Sequence, residues 1–69
     1  MSRTVVNFPV GGGVVSFFGG AQLEDEFVPD ARRVAMLRGF DPTAPAEVTW
    51  SGPDVGGAFT AHVAVGTDG

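Results

Sequence analysis

With 69 residues and no cysteine, the chain forms one domain at most, spanning 1–69, and cannot carry a disulfide framework, a thiolate metal site or a cysteine nucleophile. Its 43% apolar and 17% charged residues are too apolar a mixture for a chain that stays disordered. A net charge of −4, with four arginines and no lysine, leaves no basic stripe to grip a phosphate backbone, so nucleic acid is not an expected partner.

At the N-terminus, MSRTVVNFPV has no apolar h-region ahead of its glycines, and no apolar run approaches the ~20 residues needed to span a bilayer. The expectation is a soluble chain with no signal peptide, no transmembrane segment and no membrane partner. Residues 4–10 alternate, with Thr4, Val6, Phe8 and Val10 on one side and Val5, Asn7 and Pro9 on the other, the period of a strand. Pro9 has no N–H for a ladder, which places that end at an edge or beside a turn. Gly11, Gly12 and Gly13 can supply a tight reversal, so VVSFF is read as the returning strand of a hairpin over about 3–19. Both faces of that strand are apolar: Val14 and Phe18 point one way, Val15 and Phe17 the other. One face therefore meets either the middle of the chain or another protein molecule.

The middle of the chain supports two readings. LEDEF sets Glu24, Asp25 and Glu26 in a row, as in a solvated loop. From Pro29 and Asp30 onward, an N-cap, good helix formers, Arg38 and Gly39 fit one short helix over 30–40. RVAMLRGF fits a strand equally well, with Val34, Met36 and Phe40 on one face. Arg32 and Arg33 are expected at the surface, where in an oligomer they could pair across an interface with the carboxylates of residues 24–26.

AEVTWS alternates cleanly, with Ala46, Val48 and Trp50 inward and Glu47, Thr49 and Ser51 outward. SGPDVGG supplies a turn, and AFTAHVAV returns with Phe59, Ala61, Val63 and Val65 inward. This second hairpin covers about 46–66. The fold expected from these elements is mostly β, a small antiparallel sheet or sandwich of two hairpins, with α+β as the alternative if 30–40 is helical.

VVNFPVGGGVVSF is similar to the opening hairpin of the trypsin-co-occurring domains, and GGAFTAHVAVG is similar to the final hairpin of dodecins. Neither likeness covers the middle of the chain, which on this reading has no room for the long helix both families place there. No family is assigned and no functional residue is carried over.

Chemistry-bearing residues are sparse. His62 is the sole histidine, and no serine sits in a nucleophile-elbow context, so no catalytic residue, metal site or cofactor is expected and the chain is not read as an enzyme. Trp50 belongs in the core, where its indole N–H needs an acceptor. The alternative makes Trp50 and His62 part of a site for a carbohydrate or cofactor. The function expected is structural: an assembly subunit that packs on other protein subunits, as a homo-oligomer or in a larger assembly, through Val14, Val15, Phe17, Phe18, Arg32 and Arg33. Its concrete form is a virion- or capsid-associated decoration protein of a phage of a GC-rich host, found in host cytoplasm during assembly or on the virion. A small acidic inhibitor of a larger protein is the third reading.

Overall fold

The computed structural model describes residues 2–67. Five elements follow one another: β1 (Arg3–Val10), α1 (Gly12–Phe18), α2 (Gly20–Leu37), β2 (Ala46–Ser51) and β3 (Phe59–Gly66). The strands form one antiparallel sheet in the order β1-β3-β2. This corrects the expected mostly-β fold of two hairpins: the protein is α+β, a three-stranded sheet with helices on one face.

The first hairpin is absent because β1 finds its partner at the far end of the chain. It pairs with β3 along its whole length, from Arg3 opposite Gly66 to Val10 opposite Phe59. VVSFF becomes the helix α1, closed by bonds from the Val15 N–H to the Gly11 carbonyl (3.3 Å) and from the Gly19 N–H to the Val15 carbonyl (2.8 Å). Valine and phenylalanine are mediocre helix formers, so local propensity does not account for this helix. Gly12 has a packing role rather than a turn role. A Cβ built on it would lie 2.5 Å from the Gly57 carbonyl oxygen, so only glycine lets the first turn of α1 sit against the β2–β3 loop.

The middle segment is neither a strand nor a short helix over 30–40. It is the 18-residue helix α2, and the carboxylates of residues 24–26, expected in a loop, lie within it. Leu23, Phe27, Ala31 and Ala35 recur every fourth residue and form the stripe that meets the sheet. Ala31 and Ala35 are buried against Val63 and Val65, and their small side chains let the helix approach closely. Pro29, which suggested a helix start, is interior to the helix but on its exposed side. Its missing N–H costs about 3 kcal/mol or more in a helix interior, a cost offset by burial on the opposite stripe.

Helix α2 ends as the sequence suggested, at Gly39. The Phe40 N–H bonds the Ala35 carbonyl and the Gly39 N–H bonds the Met36 carbonyl, both at 3.0 Å, with Gly39 at φ 93°. This is a Schellman cap, in which a left-handed residue is needed and glycine carries no Cβ penalty. Arg38 then reaches back to donate to the hydroxyl of buried Thr4.

The centre of the core follows from side-chain size across the sheet. Ala61 on the central strand lies between Phe8 and Trp50 on the outer strands, leaving a furrow. Phe27 of α2 fills that furrow, stacked on Phe8 at 4.6 Å and tilted against Trp50 at 6.3 Å.

Candidate functional site

Two surfaces carry chemistry, one on each side of the sheet. On the helical side, α1 buries none of its residues. Phe17 is 82% exposed, Phe18 50% and Val14 42%, with the two phenylalanine rings edge to face at 4.9 Å. Val15 is half-buried. Between α1 and α2 runs a groove of about 410 Å³, lined by Val14 and Phe18 from α1 and by Gln22, Leu23, Asp25 and Glu26 from α2. Leu23 is buried, whereas Asp25 and Glu26 are exposed. Among the described residues, no salt bridge or side-chain hydrogen bond involves Asp25 or Glu26.

The arginines are engaged elsewhere. Arg32 donates to the carbonyls of Pro42 (3.0 Å) and Ala44 (2.6 Å), strapping the loop after α2 rather than facing outward. Arg33 pairs with Asp30 at 2.6 Å on the exposed side of α2. Arg3 approaches Glu47 at 4.0 Å.

Trp50 and His62 lie on opposite faces of the sheet and cannot line one site. Trp50 faces the helices opposite Ala61, and its Nε1–H donates to Glu24 Oε1 at 2.9 Å, supplying the acceptor the indole requires. His62 faces the open side, where the register places it between Asn7 and Thr49. Its Nδ1 lies 2.6 Å from Asn7 Oδ1 and its Nε2 lies 2.7 Å from Ser51 Oγ. With the proton on Nδ1, the ring donates to Asn7 and accepts from the Ser51 hydroxyl, so one polar chain crosses all three strands. Asn7 and Ser51 were not singled out from the sequence. Their outward position in the alternation was visible, but their meeting at His62 depends on the long-range β1–β3 register. The rest of this face mixes polar residues, among them Glu47, Thr49 and Thr60, with Val5 and Pro9, both exposed.

Among the described residues, no group of three or more His, Cys, Asp and Glu side chains could hold a metal ion. Among the described residues, no helix is long and apolar enough to cross a membrane. Comparison with protein-family models, curated proteins and solved structures finds no match.

Proposed function

We propose that this chain is a non-enzymatic assembly module that docks on a neighbouring protein chain through α1 and the adjoining outer face of α2. The observation that carries this reading is a helix that exposes Val14, Phe17 and Phe18 and has no fully buried residue. An exposed cluster of large apolar side chains beside a groove is the usual mark of a contact surface. The domain's size adds support. Val63 and Val65 are its largest fully buried side chains, and a core this small gains stability from surface buried between molecules. Decoration of a capsid is one concrete form of this role.

The test is the solution mass of the wild-type protein and a Phe17→Glu variant over a concentration series, with circular dichroism beside it. The expected result is a wild-type mass above the 7.1 kDa monomer and a folded, monomeric variant. An unfolded variant would make Phe17 a packing residue, and a folded variant of unchanged mass would remove α1 from any contact between copies of this chain. The first result contradicts the docking role, and the second contradicts docking between copies.

The Ser51–His62–Asn7 chain supplies the check on the non-enzymatic part, because its hydrogen-bond order is that of an activated serine. On this exposed strand surface, we expect no acetyl-Ser51 adduct with p-nitrophenyl acetate. An adduct lost in a His62→Gln variant would displace the non-enzymatic reading.

A further inference from the structure

The outer face of α2 carries a pattern that the docking reading does not by itself require. Gln22, Asp25 and Glu26 share one face at helical spacing, and Arg33, Met36 and Leu37 continue it about two and three turns further on. All six are exposed. The N-terminal half of this face is acidic and adjoins the apolar wall of Val14 and Phe18. The C-terminal half is basic at Arg33 and ends in Met36, 51% exposed, and Leu37, 88% exposed. Pro29 and Asp30 lie at its midpoint.

Such a face is complementary to itself when reversed. Resting on the docking reading, we infer that the neighbour is a second copy of this chain, bound with its α2 antiparallel across a twofold axis near Pro29 and Asp30. Reversal about that axis sets Asp25 and Glu26 opposite Arg33 of the second copy. It also brings Met36 and Leu37 of that copy to the groove formed by Val14 and Phe18. Each contact then occurs twice, as in an isologous dimer, the commonest closed assembly. Charge complementarity selects this occupant. Among the described residues, Asp25 and Glu26 form no salt bridge and the ion pair of Arg33 is an exposed i,i+3 pair with Asp30. Exchange of that surface pair costs little. The antiparallel arrangement brings one like-charged pair together, Asp30 beside Asp30 at the axis, whereas a parallel arrangement would set Asp25, Glu26 and Asp30 all against carboxylates and Arg33 against Arg33.

The absence of native cysteine gives a background-free test. A cysteine at position 30 lies beside the proposed axis and should meet its own copy, so Asp30→Cys should convert under mild oxidation to a disulfide-linked species of twice the 7.1 kDa chain mass. Val55→Cys, on the exposed β2–β3 loop, is the control and should not. Arg33→Glu should raise the dimer dissociation constant about tenfold or more. The combined Asp25→Arg, Glu26→Arg, Arg33→Glu variant, which inverts both signs, should restore dimerisation. A monomeric wild type, an Arg33→Glu variant that still dimerises normally, or Asp30→Cys cross-linking no faster than the control each overturns the antiparallel pairing. If Phe17→Glu dissociates the protein while these results go against the pairing, docking through α1 stands and only its geometry is lost. If Phe17→Glu leaves the mass unchanged as well, docking between copies through α1 falls with the pairing.

Discussion

The two helices lie side by side and are held in place by very different means. α2 has a poor local sequence for its length, with Pro29 inside it and no side-chain cap at its start, but it is fixed by a stripe packed on the sheet and by the cap at Gly39. α1 has neither device. Like α2 it has no acidic residue in its first turn and no basic residue in its last, but unlike α2 it has no buried residue. Helices this short are marginal in water, so α1 needs packing to be stable. Within the chain, that packing amounts to the glycine contact at its first turn and the walls of a groove. The difference indicates that α2 belongs to the fold and α1 to the contact surface.

Substitutions can separate these roles. Phe27→Ala removes the ring that fills the furrow between Phe8 and Trp50. Phe-to-Ala changes in cores cost about 3–5 kcal/mol, and because Phe27 is only half-buried the expected loss is about 2–3 kcal/mol. Thermal denaturation should show a midpoint lower by roughly 10 °C or more for a domain of this size. A shift of only a degree or two would mean that α2 is not what fixes the core. Gly12→Ala should act on α1 alone. The new Cβ would collide with the Gly57 carbonyl, so the first turn must lift from the loop at a cost of about 1–3 kcal/mol. The expected NMR result is large shift changes over residues 12–18 and small ones over the sheet.

The smallest effect lies at the turn beyond α2. Asp41 accepts hydrogen bonds from the Thr43 hydroxyl (2.5 Å) and the Thr43 N–H (2.7 Å), which hold its carboxyl below the ordinary aspartate value, the hydroxyl contributing most. A lowered folded-state pKa means that this turn's contribution is present above the unfolded value, about 4, and is lost as pH falls through the folded value. A Thr43→Val variant should move the Asp41 titration upward toward its ordinary position. An unmoved titration would remove the hydroxyl as the cause.

What could be read from the sequence followed the range of the interactions. The β2–β3 hairpin was legible because alternation and a turn sit side by side. Asp54 confirms the turn's chemistry by accepting from the N–H groups of Gly56 (2.8 Å) and Ala58 (2.9 Å). β1 was legible as a strand, but its pairing with a strand some fifty residues away leaves no local mark. That pairing is also what displaced VVSFF from the expected hairpin. The stripe of α2 was present in the sequence but straddles Pro29, and a proline reads as a boundary. Room for a long helix therefore existed where none was expected. At the candidate surface, the apolar character of Val14, Phe17 and Phe18 was visible, whereas their helical form and the groove with Asp25 and Glu26 emerged only from the fold. Arg32 and Arg33 could not be told apart locally. The loop carbonyls of Pro42 and Ala44 engage Arg32 and leave Arg33 on the outer face.

The most direct test of the claim that α1 is completed by another molecule is amide hydrogen exchange over residues 12–18, measured at protein concentrations well below and well above the association midpoint. The account predicts rapid exchange in α1 when dilute and clear protection when concentrated, with the β3 amides equally protected throughout. Equal and strong protection of α1 at every concentration would contradict it, because the helix would then be held by its own chain.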